Sequence, residues 1–89
     1  MNRLSNINPG EVLKLEFLIP LKISIYKLSK DLGIPQTRIS QIIKGKRRIT
    51  ADSALRLSFY FGNSAIFWLG LQDDFDIEEV NSTQSVIFE

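Results

Sequence analysis

Apolar residues recur at helical spacing through most of the chain, and the breaks in that pattern divide it into five predicted helices. In the first, Asn8 stands as the cap, Pro9 takes the first helical position and Glu11 lies three residues after the cap, in the manner of a capping box. Val12, Leu13, Phe17 and Leu18 form its apolar side, and Pro20 is expected to end it near Leu18. Ile23, just before the next cap, is placed to act as a hydrophobic staple. Ser24 caps the second helix, whose Ile25, Leu28 and Leu32 share one face, and Gly33 closes it in the left-handed conformation that glycine adopts without steric penalty. Pro35 opens the third helix, and with Ile34 apolar inside the tight turn the pair has the pattern of a helix-turn-helix. Thr50 caps the fourth, which turns Ala54, Leu57, Ser58 and Phe61 inward and ends at Gly62. Ser64 caps the fifth, expected from Ala65 to about Asp73.

The third helix separates its two sides sharply. At roughly 100° per residue Ile39, Ile42 and Ile43 gather on one side, while Gln36, Thr37, Ser40, Gln41 and Lys44 spread over the other. Amides pair bidentately with adenine in the major groove, hydroxyls bond base edges or phosphates, and lysine reaches guanine or the backbone. Any solvated helix face is polar, so the strip alone would mean little. Two further features set it apart: it carries no acid, and it runs into Gly45-Lys46-Arg47-Arg48, a basic loop of the kind that grips phosphates. Gln36, Thr37, Ser40 and Gln41 are therefore the expected base readers, with Arg38 and Lys44 at the margins and Lys46, Arg47 and Arg48 on the backbone.

Composition sharpens this picture by exclusion. Eighty-nine residues make one domain, and the lack of cysteine and histidine removes disulfides, thiolate zinc sites, Cys or His nucleophiles and any His base. Neither a metal nor a cofactor is expected, and the scattered Asp, Glu, Ser and Lys residues show no convergent spacing that would suit an enzyme. The amino terminus lacks a signal-peptide apolar block and no apolar run reaches the roughly 18 residues of a membrane span, so a cytoplasmic protein without a membrane partner is expected. The net charge of +1 hides a segregation: residues 1–56 carry eleven basic residues against four acids, a net +7, and the remainder carries six acids and no base. A basic front and an acidic back suit a protein that turns one side to a polyanion.

The fifth helix has almost no polar side. Ile66, Phe67, Trp68, Leu69 and Leu71 exceed what one small core needs, so part of this surface is expected to meet a second copy in a two-fold homodimer. Beyond it an acidic stretch to Glu79 and a polar spacer lead to Val86-Ile87-Phe88, and residues 78–89 read as a tail that is either disordered or able to pair with a partner's sheet edge.

Several segments together resemble a known family. Asn8-Pro9-Gly10-Glu11-Val12-Leu13, Leu32-Gly33-Ile34-Pro35, Gly45-Lys46-Arg47, Ile49-Thr50-Ala51-Asp52 and Phe67-Trp68-Leu69-Gly70-Leu71-Gln72 are similar to HigA-type antitoxins, the addiction-module branch of the lambda-repressor-like (Xre) helix-turn-helix proteins, over about residues 7–77. The resemblance implies an all-α, five-helix DNA-binding domain with a short C-terminal tail. It also implies a dimeric repressor that binds a palindromic operator in double-stranded DNA at its own operon and neutralises a partner toxin, typically a RelE-like ribonuclease that cuts translated messenger RNA. By matching positions, Gln36 and Thr37 stand where such repressors begin their base contacts, with Ser40 and Gln41 further along the groove. Ile25 departs from the pattern, standing where many phage repressors have a phosphate-binding glutamine, which leaves Ser24, Tyr26 and Lys27 as candidates for that contact. Two other functions fit the same residues: a stand-alone Xre-type repressor with no toxin, and a protein-interaction module that touches DNA only weakly.

Overall fold

The structure is a computed structural model that describes residues 6–84, and among them it is all-helical. Helix α1 covers residues 9–21 in three parts: an α-turn at Pro9–Val12, a π-helical stretch at Leu13–Leu18 and a last α-turn at Ile19–Leu21. The capping box forms as expected, with the Asn8 side chain accepting from the Glu11 N–H at 3.1 Å and the Glu11 carboxylate accepting from the Asn8 N–H at 3.3 Å. Pro20 does not end the helix. The wider turn bonds the Ile19 N–H to the Lys14 carbonyl five residues back, so the proline ring enters a loosened ladder at the second position of a fresh turn, where the missing N–H costs little. The chain leaves at Lys22, a non-glycine residue at φ 58°, whose N–H bonds the Ile19 carbonyl.

Helix α2 spans Ile25–Leu32 and α3 spans Gln36–Ile43. Pro35 is extended and caps α3 from outside, rather than forming its first residue. The turn between the helices is tied by the Ser29 hydroxyl, which donates to the Ile34 carbonyl at 2.6 Å, and by an Arg56 guanidinium N–H that donates to the Leu32 carbonyl at 2.7 Å. Helix α4 spans Ala51–Phe61 and α5 spans Ala65–Gln84. Ser24, Thr50 and Ser64 all cap as the sequence predicts. The fifth helix therefore runs well past Asp73 and takes in most of the segment expected to be a tail; Val86-Ile87-Phe88 lies outside the described residues.

The core gathers Leu13 and Leu18 from α1, Leu28 and Leu32 from α2, Ile34 from the turn, Ile39 and Ile42 from α3, Ile49, Ala54 and Leu57, and Trp68 from α5. Trp68 is fully buried, with its ring 5.0 Å from that of Phe17 and its indole N–H donating to the Asn63 side chain at 2.8 Å. Its place among the dimer-interface residues is thereby corrected, because no surface of it is left for a second chain.

Candidate nucleic-acid interface

The polar side of α3 owes its position to the residues that bury the other side. Ile39 and Ile42 are sunk into the core, and the backbone of α3 is held against α1 at Gly10. A methyl group at Gly10 would fall on the Ile42 carbonyl and within 2.7 Å of Ile43 Cα, so only glycine permits this approach. With its back anchored, α3 turns Gln36, Thr37 and Gln41 fully outward and leaves Arg38 and Ser40 partly exposed. Gly45, at φ 77°, closes the helix: the Lys46 N–H returns to the Gln41 carbonyl at 2.8 Å and the chain swings into the basic loop.

The structure separates the candidate cations. Lys44, Lys46 and Arg47 are exposed, and among the described residues no carboxylate pairs with them. Arg47 instead donates to the Gln41 side-chain carbonyl at 3.1 Å, linking a phosphate candidate to a base-reading candidate. Arg48 points elsewhere, to Asp76 on α5 at 2.8 Å. Of the candidates at the start of α2, Ser24 uses its oxygen to cap the helix, which leaves its hydroxyl hydrogen to donate, and Tyr26 lies exposed beneath the Lys30 ammonium. Lys27 is paired with Asp31 at 2.8 Å, and the same carboxylate accepts from the Tyr60 hydroxyl at 2.8 Å. These bonds hold Asp31 below the ordinary carboxylate range, chiefly through Lys27 and then through Tyr60, and raise both partners.

Comparison with known proteins identifies this arrangement. Residues 5–68 match the helix-turn-helix family model. The chain belongs to the helix-turn-helix family, in its Xre, lambda-repressor-like form. This helix-turn-helix chain is 43% identical over 77 residues to virulence-associated protein I of Dichelobacter nodosus, covering 86% of its own length and 71% of the relative. The Pseudomonas aeruginosa antitoxin HigA, solved with the higBA promoter, superposes with a TM-score of 0.90 at 34% identity, over 96% of this chain and 92% of that one. A HigA-family addiction-module antidote protein from Coxiella burnetii gives 0.86 at 43% identity, over 92% and 89%. The chain thus has the fold of the HigA-type DNA-binding antitoxins, and its family consists of regulators, not enzymes.

Two surfaces of this helix-turn-helix domain remain. Of the apolar residues on α5, Ile66 is 76% exposed and Phe67 40%, while Leu69 and Leu71 are half-buried against the core. Sequence reasoning passed over Phe59, which is 83% exposed, and Leu55 one turn before it. Their signal was available: on α4 they lie opposite Ala54, Leu57 and Ser58. No helix among the described residues is long and apolar enough to cross a membrane.

Proposed function

We propose that this chain is the antitoxin of a toxin–antitoxin pair, acting in the cytoplasm as a dimeric repressor of its own operon and neutralising a partner toxin, a RelE-like ribonuclease. Two copies lay their α3 helices in successive major grooves about 34 Å apart on a palindromic operator. Gln36, Thr37, Ser40 and Gln41 read bases, Arg38 and Lys44 work at the groove margins, and Lys46 and Arg47, with Ser24 and Tyr26 at the start of α2, bind phosphates, while Lys27 stays on Asp31. Ile66 and Phe67, extended by Phe59, form the contact between copies.

The observation that carries this reading is the outward polar side of α3, continuous with three cations, Lys44, Lys46 and Arg47, that no acid among the described residues neutralises. The HigA structure solved with the higBA promoter supports DNA binding by this fold, because the fold match spans nearly the whole of both chains. The test has two arms. Fluorescence anisotropy with the DNA upstream of this gene and with a random duplex, at two salt concentrations, should give tighter binding to the first and a steep loss of both as salt rises. Co-expression with the product of the neighbouring gene should give a co-eluting complex. Binding without salt dependence would refute DNA recognition; specific DNA binding without a co-eluting neighbour would make the chain a stand-alone repressor.

A further inference from the structure

The basic loop is tied to the acidic helix by a short relay. The buried Gln72 side chain accepts from the Ile49 N–H at 2.7 Å through Oε1 and donates from Nε2 to Asp76 Oδ1 at 3.0 Å. The other carboxylate oxygen, Oδ2, receives the Arg48 guanidinium at 2.8 Å. Both oxygens of Asp76 are thus committed, one to the residue that fixes the end of the loop and one to the third cation of the loop. Lys46 and Arg47, by contrast, have no acidic partner among the described residues.

We propose that Asp76 is a positioning residue that withholds Arg48 from DNA: it holds the third loop cation back on α5, so that only Lys46 and Arg47 of the loop reach the phosphates, while Gln72 fixes the backbone from which all three project. This rests on the DNA-binding reading above. A guanidinium held by a carboxylate at hydrogen-bond distance, on a carboxylate oriented by a second bond, contributes no counterion release until that pair opens. Arg48 is therefore a reserve cation, silent while Asp76 is charged and intact.

The number of phosphates neutralised is read from the slope of log affinity against log salt, which changes by about 0.9 for each phosphate that a cation engages or releases. The full chain is titrated against a random duplex between 50 and 200 mM salt, a range over which each engaged phosphate accounts for about a 3.5-fold loss of affinity. Arg48→Ala alone should leave the wild-type slope in place, whereas Lys46→Ala should lower it by about 0.9 per bound chain. Asp76→Asn, which keeps an oxygen for Gln72 and removes the charge, should steepen the slope by about 0.9 per chain, and adding Arg48→Ala to it should restore the wild-type value. A slope lowered by Arg48→Ala alone overturns the proposal, as does an unchanged slope in folded Asp76→Asn. The first of these uses an exposed residue and stands even where Asp76→Asn fails to fold. A salt-independent wild type would refute DNA binding itself, a distinct outcome.

Discussion

At the scale of single residues, the two glutamines on the outer side of α3 are not equivalent. Adenine is read by an amide that both accepts from N6 and donates to N7. Gln41 already accepts from Arg47 on its carbonyl oxygen, which takes one of the two lone pairs and restrains the direction in which the amide can face a base. Gln36 carries no such engagement among the described residues. Gln36→Ala should therefore weaken operator binding at one base pair by about 1–3 kcal/mol and leave random-duplex affinity unchanged; equal losses on both duplexes would remove its base-reading role. Gly10 is the opposite kind of residue, hidden and without chemistry. Gly10→Ala drives a methyl into the α3 backbone, which cannot retreat as a side-chain tip can, and should cost about 3 kcal/mol. At about 4–8 °C per kcal/mol the thermal midpoint should fall by more than about 10 °C. A near-wild-type midpoint would mean that α1 and α3 are free to part.

At the scale of elements, what could be read in advance was local. Asn8, Ser24, Thr50 and Ser64 each cap a helix through a backbone N–H three residues on, an interaction complete within one turn and therefore written in consecutive residues. The facing of α3 was equally legible, since three isoleucines fix which side is buried. The passage of α1 through Pro20 was not, because it depends on a π-helical stretch at Leu13–Leu18 that the apolar spacing does not announce. Nor was the inward rotation of Trp68, whose periodicity is lost in a run apolar on every side, nor the Arg48–Asp76 pair, which joins distant parts of the chain. The α2–α4 clasp around Asp31 belongs to this class too. Because Asp31 is depressed in the fold, its contribution to stability is present above the ordinary aspartate range and disappears as pH falls through its lowered value. Tyr60 and Lys27 are raised, so theirs is present below their ordinary values and disappears as pH climbs through the raised ones. Thermal melts of wild type and Asp31→Asn should differ at neutral pH, and the difference should shrink as pH falls below the ordinary aspartate value of about 4 and vanish only below the lowered Asp31 value. An offset that does not shrink at all as pH falls below the ordinary aspartate value would assign the clasp no electrostatic role.

At the scale of the whole molecule, the operator reading demands two copies, because one α3 helix covers one half-site. The surface we propose for pairing is the α4–α5 corner, where Phe59 and Ile66 are exposed and the core has already claimed Trp68. Gly70 lies one turn beyond Ile66, and a Cβ added there would meet no other element within 4 Å among the described residues. A mid-helix glycine costs roughly 1 kcal/mol relative to alanine, so this one is accounted for if a second backbone passes close by. Ile66→Lys should accordingly convert the dimer to monomer in sedimentation while the far-ultraviolet circular dichroism keeps its helical signal. Operator affinity should fall by a factor on the order of 100 or more, since the two half-sites are no longer engaged together. Random-duplex binding per chain should change little, because the cations of the loop are untouched. Trp68→Ala provides the contrast: it opens the core at a cost of about 3–5 kcal/mol and should lose the fold together with the dimer. If Ile66→Lys stays dimeric and keeps its operator affinity, the copies meet on another face, and the spacing of their α3 helices has to be sought from there.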